Sequence, residues 1–283
     1  MRTFVSAVAV ILGVLLSAVA VPAIWVERNM VDEDGFVALS APLGQDAGFQ
    51  QRLAAAAVGT IDTSSTPDAL AGIVQPVAEA AARSLTGLPG YPAAWEESLR
   101  RSHRLSFADP GSRPAGADTS AMLTLDVAPL VALAVGELSR TTGLPLEAPG
   151  QTLINVGQPD QRQWIERMSA YAPLGYSLAI GAGIALALAL VSARRRWTVF
   201  FSVGVGALLL AALWTFGSQL ARDAVAGTAS GNEVADMFKD ALVEAASSSF
   251  QSWISGTAVA GGVLLAAGLV IGIASRGRRA LTR

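Results

Sequence analysis

The sequence predicts a membrane protein with four transmembrane α-helices, an α+β extracytoplasmic domain and an extended helical hairpin. Three observations lead there. The chain has 283 residues, 52% hydrophobic and only 15% charged, against about 25% charge in an ordinary soluble domain. Four apolar runs reach the ~20 residues that a helix needs to cross the hydrocarbon core. The remaining charges are segregated by sign along the chain.

The apolar runs are residues 4–26, 172–193, 197–217 and 254–275, and none contains Asp, Glu, Lys, Arg or His. Trp25, Tyr171, Trp197, Trp214 and Trp253 stand near their ends, where amphipathic rings favour the membrane–water interface. The segments 1–3, 194–196 and 276–283 hold eight arginines and no acid. The segments 27–171 and 218–253 hold all 22 acids against 12 basic residues. The positive-inside rule then places both termini and the 194–196 loop in the cytoplasm. It expects a multi-pass plasma-membrane protein with its main domain outside. The first run has a second reading as a signal peptide, because Ala18-Val19-Ala20 resembles a small-residue cleavage site. A single leading charge and an apolar stretch that continues to Val26 favour an uncleaved anchor.

Within the 27–171 domain, Phe36-Val37-Ala38-Leu39 reads as a short strand or an extended entry. Asp46 reads as the cap of a helix running toward Thr60. Thr66 and Pro67 start a further helix through Leu85, with Pro76 kinking it. A third helix spans Pro92 to Leu105, and a turn-rich loop follows. The stretch AMLTLD reads as a strand, Asp126 as a cap, the residues up to Gly143 as a helix, and QTLINVG as a second strand. Strand, helix, strand in that order implies two neighbouring strands packed by a helix. A last helix from Pro159 runs almost directly into the second span, with Pro173 between, so the domain is expected to be stiffly coupled to the membrane. In 218–253, small apolar residues recur at helical spacing on both sides of a Gly/Ser turn. This extends spans three and four into a hairpin that packs through Val234, Met237, Phe238, Ala241, Leu242 and Ala245.

Chemistry-bearing candidates are few. With no cysteine and one histidine, the chain has no disulfide, no thiolate site and no two-histidine metal site. Asp32 and Asp34, in Asp32-Glu33-Asp34-Gly35, are candidate cation ligands. The apolar residues that follow break the ordered oxygen spacing of a calcium loop. His103 could act singly as a general base, but its spacing from Leu99 and Trp95 suits a packed helix face. Asp126 stands at a strand end, where an α/β enzyme would place a carboxylate, and is equally explained as a cap. There is no Gly-x-Ser-x-Gly elbow, no dinucleotide fingerprint and no phosphate loop, so no cofactor is expected. The cytoplasmic arginines suit anionic lipid rather than nucleic acid. Spans free of ionisable residues speak against proton-coupled carriers and pumps. GLVIG, residues 268–272, is a small-xxx-small match, read as ordinary packing among the four helices.

WVERNMVDEDGFVALSAPLGQD, WEESLRRSHRLSF and LTLDVAPLV, together with the four-span layout, resemble a group of uncharacterised integral membrane proteins from actinobacteria. The resemblance implies a cell-envelope setting and the same topology, with no activity or catalytic residue to carry over. The expected function is a non-enzymatic envelope protein whose outer domain senses or binds a partner, with membrane lipid and an envelope protein as partners. That protein would dock through the 27–171 domain or the 218–253 hairpin. The alternative is an envelope enzyme or assembly factor acting on lipid or cell-wall substrates, and a transporter comes third.

Overall fold

The computed structural model describes residues 2–50, 85, 87–107, 123–143, 145, 147–156, 162–228 and 233–280. The described chain is mostly helical. Its helices are α1 (Arg2–Val26), α2 (Glu33–Ser40), α3 (Tyr91–Phe107), α4 (Ala128–Thr142), α5 (Arg162–Tyr171), α6 (Leu174–Ser192), α7 (Arg196–Ala226) and α8 (Glu233–Ala280). Two strands, β1 (Leu123–Asp126) and β2 (Leu153–Val156), form one antiparallel sheet. Four helices are long and apolar enough to cross a membrane: Arg2–Val31, Leu174–Ser192, Arg196–Ala226 and Ala235–Ser275. They make the chain a multi-pass membrane protein by length and composition. The structure divides into a spanning unit (Met1–Arg28, Ser169–Val225, Ala246–Arg283) and a second unit (Asn29–Met168, Ala226–Ala245).

In the spanning unit, glycine allows the helices to approach closely. A Cβ on Gly175 would lie 2.8 Å from the Ile24 backbone nitrogen, and one on Gly13 would lie 2.7 Å from Leu186. These two sites seat α1 against α6, where the Ser6 hydroxyl also donates to the Ala189 carbonyl at 2.9 Å. Gly204 faces Gly261 and Leu265 across the α7–α8 contact, while Gly268 and Gly272 face Phe201 and Trp197. The GLVIG glycines therefore serve packing inside the chain, as expected from the sequence. The outer faces carry large exposed side chains such as Ile11, Leu15, Ile184, Leu188, Leu213 and Val263, a surface suited to lipid tails.

Two of the aromatic residues near span ends are buried, Trp25 at 8% and Trp214 at 7% exposure. Trp214 packs in a buried cluster with Leu210, Ala211 and Ile254. Its indole N–H donates to the Ala18 carbonyl at 3.1 Å. Pro22 lies inside α1 four residues later and has no N–H to offer that carbonyl. Trp214 thus supplies, from another helix, the donor that proline removes.

The second unit has one core. Phe36, Phe49, Trp95, Leu99, Leu125, Val127 and Ile154 are joined there by Ala235 and Phe238 from the start of α8. Phe238 stands 6.1 Å from Phe49 and 6.4 Å from Trp95, ring centre to ring centre. The hairpin residues predicted to pack do so through Phe238, Met237 and Leu242. The predicted strand at 36–39 is instead part of α2. Asp32 caps that helix by accepting from the Gly35 amide at 2.8 Å, and Glu33 and Asp34 fill its first turn, where negative charge complements the helix dipole. Asp46 caps as expected, accepting from the Phe49 amide at 2.6 Å. Residues 47–50 are helical, and the rest of the helix expected up to Thr60 lies outside the described residues. The Thr66–Leu85 helix apart from Leu85, the loop after Phe107 and the Pro159 helix start also lie outside them. The strand–helix–strand order and the pairing of the two strands match the prediction, with α3 as the helix packed on β1, and Gly143 ends α4 in the left-handed conformation at φ 71°, a position that favours glycine.

Candidate functional site

Each sequence-predicted candidate belongs to the second unit. Helix α3 explains most of them, because its residues pack on three different partners. His103 is 5% exposed and stacks on Phe107 at 4.4 Å, with Phe36 at 5.3 Å. Its Nε2 is 3.2 Å from the Met30 carbonyl. A carbonyl only accepts, so Nε2 carries the proton and donates. Met30 belongs to the π-helical turn Glu27–Val31 that ends the first span. Burial depresses the imidazole pKa, opposed more weakly by the Met30 carbonyl, Glu33, the Val31 backbone and Asp32. The neutral ring is the favoured form, held between two phenyl rings as a packed connector.

The acidic stretch pairs with the next turn of the same helix. Arg100 contacts Asp34 at 2.7 Å and Glu33 at 3.6 Å, and Arg104 reaches Glu33 at 3.9 Å and Glu97 at 3.5 Å. Asp32 is committed to its cap and Asp34 to Arg100. Among the described residues no group of three or more His, Cys, Asp or Glu side chains is placed to hold a metal ion. The exposed ion pairs orient α2 on α3 more than they stabilise it, because solvent screens them.

Asp126 is 2% exposed. One carboxylate oxygen accepts from the Ala128 amide at 3.0 Å and from the Thr152 amide at 3.1 Å. It therefore ties the start of α4 to the residue preceding β2. The formal cap position is Val127, with no side-chain cap bond, so Asp126 acts one residue further out than expected. His103 and Asp126 are each engaged with different elements: the ring with the π-turn, the carboxylate with the strand ends.

Sequence reasoning missed a serine row. Ser98, Ser102 and Ser106 recur every four residues on α3, and all three are fully buried. Ser102 Oγ donates to the Ser98 carbonyl at 2.5 Å and accepts from the Asp126 amide at 2.8 Å. Ser106 Oγ donates to the Ser102 carbonyl at 2.7 Å and accepts from the Thr124 amide at 3.1 Å. These strand amides point away from β2, so the hydroxyls take the place of a neighbouring strand at one sheet edge. Ser98 Oγ makes no such bond. The Arg162 guanidinium, 9% exposed, donates to the Ser106 carbonyl at 2.7 Å, joining α5 to the same row. The period-four serines were the available signal.

Tyr91, one turn before Trp95, has its phenol pKa pushed up to about 12 by burial, against a lowering contribution from Gln50. The group is a neutral phenol in the core. No protein-family model matches the chain, and no curated protein or solved structure matches it either.

Proposed function

We propose that the chain is a non-enzymatic cell-envelope protein: a four-helix membrane base carrying an extracytoplasmic sensing or protein-interaction domain. The observation that carries this reading is that Ala235 and Phe238, at the start of α8 and ahead of its apolar run 254–275, complete the core of the second unit. Two segments separated by two spans share a core only if both lie on the same side. This is the parity that the arginine distribution predicts. His103, Asp126, Asp32 and Asp34 have positive structural assignments there as connector, staple, cap and ion-pair member. Those roles supply a reason for each residue without catalysis.

The chain has no cysteine, so single-cysteine variants test the reading directly. A membrane-impermeant maleimide applied to intact cells is expected to label Glu147→Cys and Asp240→Cys and to spare Arg195→Cys. All three parent residues are exposed. The opposite pattern overturns the outward domain. If His103→Ala or Asp126→Asn abolished cellular function while the protein stayed folded and abundant, the enzyme reading would replace this one.

A further inference from the structure

Helix α5 is pinned by one face and open on the other. Arg162 and Ile165 are buried, and Arg162 holds the Ser106 carbonyl. On the opposite side Trp164 is 59% exposed and Tyr171 65% exposed. Arg167 is also exposed, its guanidinium 5.6 Å from the Trp164 ring centre. At 3.6 residues per turn, positions 164, 167 and 171 fall within one sector of about 60°. Glu166, the exposed acid, lies well away from that sector and on the side of Arg162, which it approaches at 3.9 Å.

Exposed aromatic residues taken singly mean little. Here the chain places them beside a bilayer. Only Ala172 and Pro173 separate α5 from the third-last helix of the chain, α6, whose own exposed side chains begin with Leu174 and Tyr176. Trp164 precedes Leu174 by ten residues, at most about 15 Å of helix. The headgroup layer adds roughly 5–8 Å on each side of the hydrocarbon core. A helix standing upright would carry Trp164 past that layer, whereas one lying in its plane would keep all three side chains inside it. Two aromatic rings flanking a cation on an otherwise polar helix form the composition of an in-plane amphipathic anchor.

We infer that α5 is an interfacial helix whose Trp164–Arg167–Tyr171 face lies among the headgroups of anionic phospholipids. The rings occupy the interface and Arg167 meets lipid phosphate, its charge spread over the indole face. The inference rests on the four spans and holds whichever way the second unit faces, so it stands or falls separately from the proposed topology.

The test uses the full chain in vesicles of phosphatidylcholine, with and without phosphatidylglycerol. Trp164→Cys and Glu166→Cys are each labelled with the same environment-sensitive fluorophore. The label at 164 is expected to be quenched by a shallow lipid nitroxide and shielded from aqueous iodide, with the reverse at 166. Phosphatidylglycerol should strengthen the contrast at 164. Adding Arg167→Gln should remove most of that gain, about fivefold, as one basic residue near an anionic surface contributes. Equal iodide access at both positions overturns the inference. So does a label at 164 that is shielded yet untouched by the lipid nitroxide, because a protein surface would then cover the face. Indifference to both phosphatidylglycerol and Arg167→Gln overturns the anionic-lipid assignment.

Discussion

Replacing Trp214 with phenylalanine removes the donor that serves the Ala18 carbonyl, and the surrounding helices set the cost. A buried acceptor left unpaired costs about 1–3 kcal/mol. Measured interhelical hydrogen bonds in membrane proteins average nearer 0.6, with a maximum of about 1.7 kcal/mol. The smaller ring also loses packing beside Phe250, now 6.3 Å from the indole. A single variant therefore cannot apportion the loss, but a cycle with Pro22→Ala can. Alanine at 22 provides the backbone N–H that proline lacks, so the Ala18 carbonyl gains an intrahelical partner. The packing loss is the same in both backgrounds and cancels. Trp214→Phe should then be less damaging by about 1 kcal/mol in the Pro22→Ala background. Reversible unfolding in mixed micelles measures all four corners. If Trp214→Phe cost the same in both backgrounds, within about 0.3 kcal/mol, the account of Trp214 as proline's substitute donor would be wrong.

Other perturbations have equally definite outcomes. Ser102→Ala orphans the Asp126 amide and should cost about 1–3 kcal/mol, whereas Ser98→Ala deletes a hydroxyl without a bond and should be neutral or mildly stabilising. Thermal melts separate them, and equal losses would refute the edge-capping role of the row. Because the folded-state pKa of His103 lies below its unfolded value, the unfolded chain takes up the proton first as pH falls. Its contribution is present above about pH 6.5 and is lost as pH falls from there through the folded pKa. Melts of wild type and His103→Phe across this range should therefore converge toward acid. Gly204→Ala would place a Cβ 2.5 Å from the Leu265 nitrogen, and an overpacking cost of about 1–3 kcal/mol is expected. Gly183→Ala, with nothing within 4 Å, should be tolerated, and unfolding in micelles reads both. Gly143→Ala forces a side chain into the left-handed region and should cost about 1–2 kcal/mol, seen as a lowered Tm.

The spans were legible because uninterrupted apolarity over ~20 residues has one cheap solution in lipid. The strand–helix–strand unit was legible through its cap, its period and Gly143. The 36–39 segment was misread for a specific reason. Four consecutive apolar residues have no period, so strand and buried helix look alike. The helix-start signal lay in Asp32-Glu33-Asp34, where the same acids had been weighed as cation ligands. The bond made by Trp214 was not legible, because position near the end of an apolar run is a one-dimensional criterion. The helix runs on to Ala226, and a proline in another helix decides what the indole does. The serine row left only a weak trace, since serines on a helix ordinarily face water and only the packed strand gives their hydroxyls a buried task.

The place of Phe238 in the core has a consequence for how the protein is made. Its ring packs against Phe49 and Trp95, yet it is synthesised after three of the four spans. The second unit cannot finish its core while the ribosome is still upstream of residue 238. Until then Phe49 and Trp95, 5.3 Å apart, lack this third ring, and the nascent intermediate is expected to leave part of their surface uncovered. A fragment ending near residue 171 lacks the Ala235 and Phe238 contribution to that core. An isolated domain supplied with residues 226–245 is therefore expected to melt at a higher temperature than the fragment without them.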